Sequence, residues 1–253
     1  RSLNPDIEVM LDHEGGSVNR FKNEPSVSFP EPLSWIEDND VAKAQSKMVN
    51  SITEPLTNLR QTGFDRILGP CIDVHDLKSR VIGARGRAFS SDPDVILAMA
   101  KAWIGVCESV GLSTTIKHWP GHGRSEHDSH FEIAKDNRSY DELMVDASIY
   151  KKMIQAGYQD AVMPGHVIYS DVDELPASSS KVWYDLLKSW GFHGRVITDC
   201  FSMTAASHGV DILSMMNRAT ELGVTDFMLL HQEPSKMIRL IDAYQNQVHY
   251  KDG

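Results

Sequence analysis

The sequence predicts an α/β fold of the (β/α)8 TIM-type barrel class, on three observations. Short β-branched runs alternate with longer segments of helical period. Polar side chains sit just past the C-terminal end of one run after another. The 253 residues, 41% hydrophobic and 24% charged, suffice for one large core. The alternation points to a parallel sheet, because β-α-β crossovers join parallel neighbours. By itself it does not separate an open doubly wound sheet from a closed barrel. The strand ends favour the barrel. Asp12 with Glu14, Asp73, Lys117 with His118, His166, and Asp199 each follow a separate candidate strand. In a barrel such ends converge on one face, where that fold builds its active sites.

Candidate strands cover 7–11, 66–69, 114–117, 161–163, 195–198 and 226–230. Between the first two, 41–62 has helical period, but Pro55 is expected to kink or split it. Asp92 reads as an N-cap with Pro93 at the first helical position. Ile96, Met99, Trp103, Val106 and Val110 then recur at three or four residues before Gly111, giving one buried face. Ser139 and Glu142 are spaced as a capping box for a helix that ends at Gly157. Further helices are expected over 181–190, 211–222 and from 234 to about 245. With no low-complexity segment, short repeat or linker, 1–253 is expected to form a single barrel catalytic domain.

A formal charge of −10 and a pI near 5.5 argue against a nucleic-acid partner, which would require clustered Lys and Arg. No apolar run approaches the roughly 18 to 20 residues of a membrane helix, so no membrane partner is expected. The first residues show no signal-peptide core. Cys71, Cys107 and Cys200 are an odd number without paired or metal-like spacing, which suits a reducing compartment, so a cytoplasmic location is expected.

The densest chemistry lies in Lys117-His118-Trp119-Pro120-Gly121-His122-Gly123, followed by Asp128-Ser129-His130. Asp128 and His130, two residues apart, share a side in an extended segment, and an acid bonded to an imidazole fixes its tautomer and raises its basicity. The pair is a candidate proton shuttle, or a solvated polar loop. Gly121 and Gly123 serve either a loop that moves over a ligand or a tight turn. Asp199, carried by Val196-Ile197-Thr198, has a rigid mount suited to a nucleophile, or caps the following helix. His118, His122, His127, Asp128 and His130 offer metal-ligand types. Pro120 and the glycines break the helix that a His-x-x-x-His zinc site needs, which leaves only coordination from the loop.

Four motifs in register carry a resemblance over essentially the whole chain. They are Leu11-Asp12-His13-Glu14-Gly15-Gly16 with Val18 and Arg20, Val81-Ile82-Gly83 with Arg87-Ala88-Phe89-Ser90, the Lys117 to Gly123 run with Asp128-Ser129-His130, and Val196-Ile197-Thr198-Asp199. Together they resemble glycoside hydrolase family 3, in its β-N-acetylglucosaminidase branch. That resemblance implies a (β/α)8-type barrel that removes non-reducing terminal β-linked N-acetylglucosamine, typically from peptidoglycan fragments in the bacterial cytoplasm. It implies Asp199 as the nucleophile of a retaining mechanism and His130, oriented by Asp128, as acid and base. Asp12, Arg20, Arg87, Lys117 and His118 match positions that hold the sugar. The implied partner is a carbohydrate; no cofactor and no metal are expected, and no oligomeric state is indicated. A retaining glycosidase ordinarily uses two carboxyl groups about 5 Å apart. Histidine in place of one brings a pKa of about 6.5, already near working pH. A neutral imidazole also repels anions less, so phosphate as well as water is an admissible acceptor.

The chain departs from the family pattern in three places. Position 200 is Cys where the family often has a second Asp. Arg85-Gly86 is extra in the arginine loop, making Arg85 a competitor of Arg87. The first strand matches the family's third, so two expected β-α units are not among these residues, which would leave strand edges unpaired. Two other functions remain in view: a degenerate sugar-binding protein on the same barrel, and a metal-dependent hydrolase using the histidine loop.

Overall fold

The computed structural model describes residues 6–37, 40–125, 134–203, 206, 210–230 and 233–251, the last five by backbone alone. Its strands are β1 (Met10–Leu11), β2 (Arg66–Ile67), β3 (Ser113–Thr114), β4 (Ile116–Trp119), β5 (Ala134–Asp136), β6 (Ala161–Pro164), β7 (Val167–Tyr169), β8 (Arg195–Cys200) and β9 (Asp226–Met228). Its helices are α1 (Val41–Thr62), α2 (Pro93–Ser109), α3 (Tyr140–Gln155), α4 (Lys181–Ser189), α5 (Ile212–Leu222) and α6 (Pro234–Lys251).

Local chemistry sets the helix ends. Asp40, Asp92 and Asp211 accept backbone N–H groups at the starts of α1, α2 and α5. Ser139 and Glu142 form the expected capping box of α3. Gly63, at φ +106°, ends α1 in the left-handed region. The expected split at Pro55 does not occur: α1 runs 22 residues with Pro55 inside it. Pro55 is itself buried with Met48, Ile52, Leu56 and Leu59. The packing of that apolar face outweighs one missing N–H bond.

All strand pairings are parallel, in the order β1-β2-β3 and β4-β6-β8-β9. A parallel bridge from Cys71 to Lys117, with Ile72 N–H donating to the Lys117 carbonyl at 2.9 Å, joins the two arcs. The strands follow one another around the arc in chain order, with helices between them, as a (β/α) barrel requires. β5 and β7, which sequence period did not reveal, form a separate two-stranded parallel sheet.

The arc curls into a barrel. Leu68, Ala161, Met163 and Ile197 form an inner cluster against which Met10 of β1 and Met228 of β9 both pack, so the two end strands share one interior. At the N-terminal ends, Glu8 bridges Arg66 and Arg195, Arg66 also pairs with Asp160 at 2.8 Å, and Arg195 with Asp226 at 2.6 Å. These ion pairs gather strands β1, β2, β6, β8 and β9 at the base. The larger core lies outside, between strands and helices, and includes Trp103, Trp119, Tyr150, Tyr169 and Trp183. Among the described residues, no helix is long and apolar enough to cross a membrane.

Candidate active site

At the opposite, C-terminal end of the strands, two chained ion-pair sets fill the mouth. Glu14 is buried and accepts two 2.8 Å hydrogen bonds from Arg87, from Nε and Nη2. Lys117 Nζ lies 2.5 Å from Glu14 Oε1 and 2.6 Å from Asp12 Oδ1. Arg20 pairs with the other Asp12 oxygen from the rim, with 55% of its side chain exposed. The second set begins where Arg87 Nη2 meets His118 Nε2 at 3.3 Å. His118 Nδ1 then lies 2.7 Å from Asp73 Oδ2, while Asp73 Oδ1 accepts the His122 N–H at 2.7 Å.

Their electrostatics follow from burial opposed by partners. Burial pushes the Glu14 carboxyl up, but Arg87 and Lys117 overcome it and hold it near 2. Burial disfavours the Lys117 ammonium, yet Asp12 and Glu14 raise it above the ordinary lysine value. Asp73 is likewise pushed up by burial and pulled well below the carboxylate range by His118. His122 goes the other way: burial and the neighbouring His118 lower it to about 4.

Asp199 stands at the end of β8 and accepts the Cys200 N–H on Oδ1 at 2.7 Å. Burial raises its carboxyl, and its interactions with the His166 and His118 rings, the Cys200 N–H bond and the Lys117 ammonium more than offset that, leaving Asp199 below its ordinary value. An ionised carboxylate mounted on a strand, within the field of the Lys117 ammonium, has the character of a nucleophile.

Of the residues singled out from sequence, Asp12, Arg87, Lys117 and His118 come together, Arg20 joins at the rim, and Asp199 stands within their field. Arg87 rather than Arg85 enters the network: Arg87 bonds Glu14 and abuts His118, whereas Arg85 is exposed and its carbonyl accepts the Ser17 hydroxyl. Asp128 and His130, with His127, lie outside the described residues. The flanks of that stretch are described. Arg124 before it and Arg138 after it both pair with Asp146 of α3, at 3.3 and 2.8 Å. Gly123 packs its backbone against Val74, where a Cβ would lie 1.9 Å from the carbonyl oxygen.

Sequence reasoning placed Glu14 and Asp73 on the mouth, past strand ends, without naming either as a candidate site residue, yet these two carboxylates hold Arg87, Lys117 and His118. Their signal was position, an acid immediately past a strand, without the partner that gives it meaning. For metal binding, Cys71, Asp73 and His118 place ligand atoms within 4.8 Å of one another. The donor set does not fit a cation well. Asp73 Oδ2 already takes the His118 ring at hydrogen-bond distance, the Cys71 thiol donates to the same oxygen at 3.3 Å, and the Arg87 guanidinium abuts the ring. It is the pattern of a carboxylate that orients an imidazole.

Known proteins resemble this chain in sequence and fold. The sequence profile of the glycosyl hydrolase family 3 N-terminal domain matches residues 5–250. A beta-hexosaminidase of Tolumonas auensis is 32% identical, over 97% of this chain and 72% of its own length. One from Psychromonas ingrahamii is 35% identical, over 94% and 70%. Among solved structures, a glycoside hydrolase family 3 beta-N-acetylglucosaminidase from Paenibacillus superposes with a TM-score of 0.86 at 25% identity, covering 99% of this chain and 47% of that one. NagZ from Neisseria gonorrhoeae, in complex with N-trifluoroacetyl-D-glucosamine, superposes with a TM-score of 0.82 at 29% identity, over 96% and 69%. The chain thus spans about half the length of the Paenibacillus protein and about seven-tenths of the other three.

Proposed function

The chain belongs to glycosyl hydrolase family 3, and from that membership we propose that it is a retaining exo-β-N-acetylglucosaminidase acting on terminal β-linked N-acetylglucosamine. The observation that carries this reading is the pairing of an ionised Asp199 at one strand end with a dense set of charged hydrogen-bonding groups, Asp12, Arg87, Lys117 and His118, at the neighbouring ends. Asp and Lys side chains recognise sugar hydroxyls by charge-assisted bonds, and Glu14 and Asp73 fix the geometry of Lys117, Arg87 and His118 from behind.

In this mechanism Asp199 attacks the anomeric carbon and the aglycone oxygen leaves with a proton from His130, whose ring Asp128 orients. The glycosyl ester on Asp199 is then attacked by water, which gives its proton to His130. Two inversions return the β configuration. Lys117 and the neighbouring cations keep Asp199 ionised for the first step and stabilise it as a leaving group in the second. Peptidoglycan fragments are the proposed substrate source, the cytoplasm the proposed site of action, and the 253 residues the proposed catalytic domain.

Hydrolysis of an aryl N-acetyl-β-glucosaminide by the full-length protein, followed by proton NMR, tests the reading. Release of the β-anomer first, unchanged by chelator, supports it. The α-anomer first, or loss of release with chelator, contradicts it, and no release at all returns the reading of a sugar-binding protein. Added phosphate separates the acceptors, since phosphorolysis yields a sugar 1-phosphate.

A further inference from the structure

His166 follows β6, is 1% exposed, and takes no part in the sugar contacts or proton transfers above. Its Nε2 lies 3.1 Å from the Cys200 carbonyl oxygen, which only accepts, so this nitrogen carries the hydrogen and donates. In the neutral ring Nδ1 is then the acceptor, and the Ser178 hydroxyl donates to it at 2.7 Å. Ser178 is fixed in turn: its N–H donates to the Gly165 carbonyl at 3.2 Å and its carbonyl takes the Tyr184 hydroxyl at 3.1 Å.

Cys200 is therefore held on three sides. Its carbonyl takes His166, its N–H donates to Asp199 Oδ1 at 2.7 Å, and its sulfur accepts the N–H groups of Ser202 and Leu230 at 3.4 and 3.3 Å. Phe201 packs its ring 6.0 Å from that of His166. The N–H to Oδ1 bond keeps its direction only if the Cys200 backbone cannot turn; on the carbonyl side it is held by His166 together with the Met203 N–H at 3.0 Å, and His166 is the side chain of that pair. We propose that His166, anchored by Ser178, is a positioning residue for the nucleophile, fixing Cys200 so that the Asp199 carboxylate is presented to the anomeric carbon. Both ring nitrogens are engaged by groups that do not react, and burial lowers the ring below its ordinary pKa, so it is no proton shuttle. The proposal rests on Asp199 being the nucleophile.

The test is the rate at which a 5-fluoro-N-acetylglucosaminyl fluoride traps the enzyme, because fluoride leaves without a proton and the rate reports the nucleophile alone. His166→Leu removes the donor, whereas His166→Gln keeps an N–H near the Nε2 position. The expected result is an inactivation rate lowered about 10²-fold by Leu and restored to within about tenfold of wild type by Gln, with inhibitor binding unchanged; a small displacement of a reacting group costs that much. Ser178→Ala, which leaves the ring unanchored, gives an intermediate loss and carries the test if the Leu variant does not fold. A wild-type trapping rate in Ser178→Ala and the Leu variant overturns the proposal. So does an equal loss in Leu and Gln together with a lowered melting temperature, and so does a loss seen only with substrates of poor leaving groups. Labelling of the wild-type protein away from Asp199 overturns the nucleophile assignment itself. Labelling at Asp199 with unaffected His166 variants overturns this inference alone.

Discussion

Glu14 and Arg87 meet through two parallel 2.8 Å hydrogen bonds across 73 residues of sequence, with 1% and 9% of their side chains exposed. Lys117 closes the same carboxylate from a third direction. The pair is the rigid floor of the mouth, since it fixes a cation beside His118 and ties the Asp12 loop to the arginine loop. Breaking a buried pair from one side leaves an unpaired charge out of water. Glu14→Ala is therefore expected to cost about 3 to 5 kcal/mol in urea unfolding. A cost below about 1 kcal/mol, the range of surface pairs, would show that water reaches Arg87 and Lys117.

Stability is expected to fall with acid in two stages. His122 is lowered from 6.5 to about 4, chiefly by burial, and His13 and His166 are lowered by the same cause. Between those two values the unfolded chain binds more protons than the fold, so stability declines as pH drops from 6.5 toward 4. The second stage belongs to Glu14, whose contribution is complete above its unfolded value of 4.5 and is lost as pH falls toward 2. Melting temperature measured against pH checks both stages. His122→Gln should flatten the upper stage, and an unchanged upper stage in that variant would contradict this account of His122.

The base of the barrel makes a separate claim. Arg66 is 3% exposed by side chain, while its partners Glu8 and Asp160 are 25% and 31% exposed. Arg66→Met leaves those two acids partly hydrated, so the expected cost is lower than for Glu14, about 2 kcal/mol. Because Arg66 sits at the end of the barrel away from the mouth, kcat of the folded variant is expected to match wild type. A change in kcat with unchanged stability would contradict the separation of base from mouth.

Cys200 stands where the family often has a second acid, and its sulfur accepts two backbone N–H groups. Cys200→Ser keeps an acceptor there, whereas Cys200→Val strands both donors. Each stranded donor costs about 1 to 3 kcal/mol, so Val is expected to be the less stable variant by at least about 1 kcal/mol, read from denaturation midpoints. Equal stability of the two would mean the sulfur contributes no acceptor.

The sequence showed more of the frame than of the wiring. Asp92, Ser139 with Glu142, and Gly157 marked helix ends correctly because caps are local, decided within four residues. The polar residues past each strand were visible for a similar reason. Which acid pairs with which cation was not, because Glu14 with Arg87 and Asp73 with His118 are joined by barrel closure, 73 and 45 residues apart. Pro55 misled because its local penalty was legible and the buried face that compensates for it, Met48 to Leu59, is tertiary. Strands β5 and β7 escaped notice because three residues each are too short to show a period.

Peptide mapping of the enzyme trapped with the fluorinated sugar addresses the central claim most directly. The account predicts one added glycosyl mass, on the peptide bearing Asp199, and its absence from the Asp199→Ala variant, which should retain the wild-type fold while losing turnover by orders of magnitude. A label on any other residue, or turnover by Asp199→Ala close to wild type, would contradict it.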